Sequence, residues 1–348
     1  MKEVFSKRLK IARTLAALSQ DQLVEKMGNI VSKNAISKYE KCEMMADSKV
    51  ILALSKALNV KPDYFFRPFT VEIDKVEFRK KHKLSIKKVN AIKQNVTDFV
   101  ERYIEVEQFL NITSAFVNPV KNIDISTIQD IDKAASIVRS KWELGLNALP
   151  NVIDLLEDNE IKVVELDAFE EFDGFSGWAD GKIPIIVINK NYPLERKRLT
   201  ALHELGHLIL KLNEAIPERD KERLCFQFAG AMLIPEPTFK SEIGDVRTNF
   251  SIPELIAIKE TYGISIQAIM ARAKDLGIIS ESHFIQFRKW ISQNRTEEGL
   301  GNYKGSEHTF RFKQLIYRAA AEEVISLSKA ANLSNQKLAQ FREEFIAL

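Results

Sequence analysis

The segment Leu199 to Leu210, LTALHELGHLIL, leaves a chain few choices. It has helical composition and no proline, and Leu202, Leu205, Leu208 and Ile209 would hold it down as a helix against a core. On a helix, His203 and His207 stand four residues apart and share one face, one turn above the other. Both imidazoles then reach a single Zn²⁺, and Glu204, one step around, stands beside the ion rather than on it. A zinc-bound water has its pKa lowered toward ~7, so Glu204 can accept its proton while a peptide carbonyl polarised by the metal is attacked. The competing reading is an apolar helix whose histidines only touch core neighbours. A chain with five histidines meets His-Glu-x-x-His rarely by chance.

A hydrolytic zinc site has three protein ligands and keeps a fourth position for water. His283 and His308 are remote in sequence, so a carboxylate on the next helix is expected. The segment IPERDKERLCFQFAGAMLIPEP offers Glu218, Asp220, Glu222 and Glu236. If Leu224, Phe228, Ala231 and Met232 pack inward, helical phase favours Glu222 without closing out its neighbours. Upstream, IKVVELD and IPIIVINK are β-branched runs that read as strands of a small sheet, with FDGFSGWADGK as a turn-rich connection between them.

The N-terminal end follows another pattern. FSKRLKIARTLAAL places Phe5, Leu9, Ala12, Leu15 and Ala16 on one stripe, and SQDQLVEKMG opens on Ser19 as an N-cap and closes at Gly28. Ser32 caps a third helix, KNAISKYEKC, with Ile36 and Tyr39 inward and Lys33, Asn34, Ser37 and Lys38 outward. SKVILALSKALN and VKPDYFFRP complete a bundle of five short helices. A helix, a tight turn and a helix presenting Lys, Asn and Ser form the helix-turn-helix arrangement, whose later helix enters the DNA major groove. Charge agrees: residues 1–85 hold 18 Lys+Arg against 10 Asp+Glu, so a net charge of +3 conceals about +8 there and −5 beyond.

RLKIAR, LSQDQLVEKMG, VSKNAISKYEKC and LALSKALNVKPDYFF occur in order, and residues 5–67 resemble the lambda-repressor-like (Xre) DNA-binding family. The resemblance implies that Gln20 meets a phosphate or base edge, that Lys33, Asn34 and Ser37 face bases, and that Lys38 and Lys41 approach phosphates. Cys42 stands where that family usually has glycine after the recognition helix. From about residue 135 to 280, the run from WELGLNALPNVIDLLEDNEIKVVEL through HELGHLIL and FAGAMLIP to YGISIQAIMARAKDLGIIS resembles the ImmA/IrrE family of bacterial zinc metallopeptidases. It implies His203 and His207 as zinc ligands, Glu204 as general base and Glu222 as third ligand. Phe226 stands where the family commonly has Asn or Asp, which removes a hydrogen bond behind the metal ligands.

The expected fold class is α+β and helix-rich: a helix-turn-helix bundle (1–68), a helical linker (69–130), a zincin-like peptidase domain with a small sheet (131–280) and a helical extension (281–348). In the linker, Val96, Phe99, Val100, Tyr103, Val106 and Phe109 recur at helical spacing. The extension divides at a glycine-containing loop, 296–309, with two helices beyond, and His308, Phe310 and Phe312 are candidates to border the cleft. No segment approaches the ~20 apolar residues of a membrane span, and Cys42 and Cys225 lack redox or metal spacing, which fits a cytoplasmic protein. The expected partners are a double-stranded DNA operator, read as a homodimer, and a repressor cleaved as substrate. The alternatives are the antitoxin of a cognate toxin, or a regulator whose zinc domain only senses or scaffolds.

Overall fold

The computed structural model describes residues 1–16, 18–67, 86–113, 115–168 and 172–346. Among them the chain forms two compact units, residues 1–67 with 86–113 and 311–346, and residues 115–310. The basic segment DKVEFRKKHKLSIKKVNAIKQ, which begins at Asp74, lies outside the described residues as far as Ser85.

The first unit opens with α1 (Lys2–Leu15), α2 (Gln20–Lys26), α3 (Lys33–Glu40), α4 (Ser48–Leu58) and a 3-10 turn, Pro62–Phe66. Caps fix these boundaries. Ser19 and Gln22 form a reciprocal capping box on α2, Ser32 accepts from Ala35 N–H, and Asp47 accepts from Val50 N–H. Phe5, Leu9, Leu23, Ile36, Leu54 and Phe65 are the buried centre of this bundle. Next comes α5 (Ile86–Phe109), whose Val96, Val100, Tyr103 and Val106 are fully buried, while Phe109 is exposed. Arg8 of α1 donates to Glu101 of α5 at 2.6 Å, both side chains out of water.

The second unit begins with β1 (Asp124–Ile125), α6 (Ile128–Lys141), α7 (Val152–Asp158), β2 (Lys162–Leu166), β3 (Gly174–Ala179) and β4 (Ile183–Asn189). It continues with α8 (Leu194–Ile209), β5 (Lys211–Leu212), α9 (Glu218–Leu233), α10 (Glu236–Ile243), α11 (Ile252–Tyr262), α12 (Ile266–Asp275) and α13 (Glu281–Ile291). The sheet order is β2-β4-β3, with β2 parallel and β3 antiparallel to β4, and β1 pairs with β5 apart from it. The glycine-containing connection expected between two strands is therefore partly a third strand, β3. Its glycine has a packing reason: a Cβ at Gly174 would lie 2.6 Å from Val187 O of β4 and 2.9 Å from Thr200 Cγ2 of α8. α8 and α9 pack against each other, and Gly206 makes the approach close, since a Cβ there would meet Cys225 Cβ at 3.3 Å.

The loop after α13 is held down by two buried glutamates. Glu297 accepts from Ile266 N–H and Gln267 N–H at the start of α12 and from Lys259, and Glu307 accepts from Val152 N–H and Ile153 N–H at the start of α7 and from Arg198. Both carboxylates satisfy helix N-termini, where negative charge is favoured.

The chain ends with α14 (Arg311–Ala321), α15 (Leu327–Leu333) and α16 (Leu338–Glu344), which belong to the first unit. Three helices thus follow the loop where two were expected, because the second breaks at Asn335, which adopts φ 54°. Phe312 stacks on Tyr103 of α5, with ring centroids 5.2 Å apart, so it belongs to the first unit's core. His308 lies 3.5 Å from Glu165 of β2. The α+β, helix-rich class expected from sequence is the one observed.

Candidate functional site

The face of α8 that carries the motif points at α9. His203 Nε2 and His207 Nε2 lie 3.0 Å apart, and the Glu222 carboxylate of α9 closes the triangle at 3.3 Å from the first and 3.6 Å from the second. Ligand atoms about 2.1 Å from a tetrahedral ion are separated by about 3.4 Å, so these spacings match three corners around one Zn²⁺. Two imidazoles and a carboxylate are also the donor set that zinc takes. Among the described residues this is the one cluster of three His, Cys, Asp or Glu side chains with converging ligand atoms. Glu218, Asp220 and Glu236, the alternatives at the sequence level, take no part in it. His203 is buried, while the Glu222 side chain is 37% exposed, so the triangle is walled behind and open in front.

Glu204 lies one residue round α8 from His203, outside the cluster of ligand atoms. Its Oε2 accepts a hydrogen bond from Ser176 Oγ of β3 at 2.8 Å. On the far side of the triangle, Cys225 Sγ lies 3.1 Å from His207 Nδ1. His203 has no counterpart: its Nδ1 is buried without a hydrogen-bond partner among the described residues, and the Phe226 ring stacks on it with centroids 3.9 Å apart. Phe226 also lines a cavity of about 430 Å³ with Leu199, Gly230, Ala268, Ala271 and Phe284.

In the first unit, the residues expected to meet DNA lie on α3 (Lys33, Asn34, Ser37, Lys38), at its C-cap (Lys41) and at the start of α2 (Gln20). Lys33, Asn34, Lys38 and Lys41 are exposed, and Ser37 and Gln20 are partly buried. Two of them are already engaged: Lys33 Nζ donates to Asp21 at 2.6 Å, and Gln20 Nε2 donates to Glu40 at 2.8 Å, where Arg13 also pairs. The missing glycine does not undo the turn after α3. Cys42 takes the left-handed conformation itself (φ 62°), with Glu43 N–H donating to Lys38 O and Cys42 N–H to Tyr39 O. This is the paired helix-terminating bond pattern that glycine ordinarily serves.

Residues 9–65 match the helix-turn-helix family model, and residues 156–274 match that of the IrrE N-terminal-like domain, a peptidase family. The chain joins a helix-turn-helix domain to an IrrE N-terminal-like domain. No curated protein matches it. The IrrE N-terminal-like match spans the whole triangle together with Glu204 and Ser176, and the helix-turn-helix match spans α2, α3 and the turn at Cys42. Sequence reasoning missed Ser176 and Cys225 as neighbours of the site. Ser176 carried no signal, because its strand reads as a loop. Cys225 did carry one: it is three residues, and so about one helical turn, from Glu222. No helix among the described residues is long and apolar enough to cross a membrane.

Proposed function

We propose that this protein is a DNA-binding transcriptional regulator whose second unit is a zinc-dependent endopeptidase that relieves repression by cutting a repressor, either itself or a partner. The observation that carries the reading is the convergence of His203, His207 and Glu222 at tetrahedral spacing beside a glutamate that is not among them. Zinc held by those three side chains would polarise a peptide carbonyl and acidify a water.

The chain's own residues supply the rest. Glu204 takes up the water's proton and returns it to the departing amine nitrogen, and Ser176 fixes the carboxylate by donating to Oε2. β3 is an edge strand of its sheet, and because its Ser176 donates to Glu204, a peptide added along that edge would lie near Glu204. The cavity beside Phe226 is of a size to take a large apolar side chain of that peptide. In the first unit, Lys33, Asn34 and Ser37 read bases, Gln20 meets a phosphate or base edge, Lys38 and Lys41 approach phosphates, and two copies bind a two-fold operator.

Glu204→Gln separates chemistry from scaffolding, because an amide cannot accept the proton. The variant is expected to keep one zinc per chain by elemental analysis, to bind DNA as the parent does, and to give no cleavage products by intact mass. Its target promoter then stays shut under conditions in which the parent induces. Normal induction in that variant would remove proteolysis from the mechanism.

A further inference from the structure

The first unit contains a second cavity, of about 290 Å³, that neither DNA contact nor peptide cleavage uses. It opens where α1 and the end of α4 meet α5 and the turn after α15. Its apolar wall is Ala12, Leu15, Ala16, Leu58 and Val60. Opposite stand Lys61, Arg67 and Arg102, with Asp98 as the lone carboxylate lining it and the carboxamides of Asn59, Asn95, Asn332 and Asn335 between them. Three cations against one carboxylate leave a surplus of two positive charges.

The partners of those cations do not remove the surplus. Asp98 is shared, accepting from Arg67 Nη1 at 2.7 Å and Arg102 Nε at 3.0 Å. Arg102 also donates to Leu333 O, and Lys61 Nζ donates to Ala331 O at 2.6 Å and to Gln336 O, all neutral carbonyls at the end of α15 or in the turn after it. Arg67 Nε is buried and meets no acceptor among the described residues. Asp63 lies near Lys61 and Glu101 near Arg102, but neither lines the cavity, and Glu101 is paired with Arg8. Burial pushes both Lys61 and Arg102 below their ordinary values; at Lys61 the Arg102 guanidinium adds to the effect, while at Arg102 the Asp98 carboxylate opposes it ahead of the contribution from Arg67.

We infer that this cavity binds a small phosphate-bearing molecule, whose dianionic group sits against Lys61, Arg67 and Arg102 and whose body lies on the apolar wall. A phosphate monoester carries close to two negative charges at pH 7, which matches the surplus, and guanidinium forks suit its oxygens. The volume admits a ligand the size of a mononucleotide, at the small end of ordinary pockets. Because the site takes groups from α1, α4, α5 and the turn after α15, occupancy ties the C-terminal helices to the helix-turn-helix domain.

The test is thermal unfolding of the full chain titrated with inorganic phosphate, adenosine 5′-monophosphate or succinate, against sodium chloride at equal ionic strength. A saturable rise of a few degrees with phosphate and the nucleotide is expected, beyond any effect of chloride. Arg67→Gln should weaken that response at least tenfold. Asn95→Asp, which places a carboxylate in the cavity, should raise the melting temperature without ligand and abolish the response. Equal responses in the parent and both variants, no saturation, or a preference for succinate would each overturn the assignment.

Discussion

At the residue scale, the two histidines of the proposed zinc triangle are supported unequally. With Nε2 facing the metal, each Nδ1 carries a proton and needs an acceptor; His207 has Cys225 Sγ beside it, whereas His203 has the face of Phe226 and no acceptor. Phe226→Asn offers a carboxamide oxygen at that place. It should tighten zinc about tenfold, the lower end of what such outer partners contribute, as read by competition with a fluorescent chelator. Unchanged or weaker binding would show that the stack holds the ring well enough alone. Phe226 is half exposed, so little core is lost in the exchange. Cys42 presents a separate residue-scale cost. A side chain in the left-handed conformation is disfavoured by about 1 kcal/mol, so Cys42→Gly should raise stability by about 0.5–1 kcal/mol in chemical denaturation, with α3 unchanged. The motif and this departure were both legible in sequence, because each depends on a fixed offset along a single helix or turn. Ser176 was not, because its place beside Glu204 depends on the pairing of β3 with β4 and of both with α8.

At the element scale, β3 decides how Glu204, the proposed base, is held, and glycine is what admits it. The segment FDGFSGWADGK has too many glycines to announce a strand, since glycine is normally depleted from them. Here the absent Cβ at Gly174 is the requirement: the Val187 carbonyl and the Thr200 methyl occupy its place. Gly174→Ala should therefore cost about 1–3 kcal/mol, the range for overpacking a close-packed site, and should displace Ser176 from Glu204. The expected signature is a lower melting temperature together with slower peptide cleavage and unchanged zinc content, because the metal ligands lie on α8 and α9 and not on β3. A loss of zinc in step with activity would mean instead that β3 holds the whole site together. The helices that carry the ligands were legible for the opposite reason. Leu224, Phe228, Ala231 and Met232 recur at helical spacing and are all buried, and that phase turns Glu222 toward α8.

At the scale of the whole molecule, sequence order and spatial grouping part company. α14, α15 and α16 are more than two hundred residues from α4, yet they complete the unit that contains the helix-turn-helix domain. Phe312, Leu315 and Ile316 cover Tyr103 and Val106 of α5, and the last carbonyls of α15 and its following turn take the Lys61 ammonium and the Arg102 guanidinium. Periodicity could mark each of these helices but not where it docks, because an amphipathic stripe names no partner. A chain ending at residue 310 tests the grouping. It loses the cover of α5 and the acceptors of two cations while keeping every residue of α2, α3 and the metal triangle. Zinc stoichiometry should be retained, since the loop that caps α7 and α12 through Glu307 and Glu297 is still present. DNA affinity and the unfolding midpoint of the first unit should both fall, and the exposed α5 stripe should make the product prone to association. If the truncated chain bound DNA with the parent's affinity and salt dependence, the C-terminal helices would be ornament to the first unit rather than part of it.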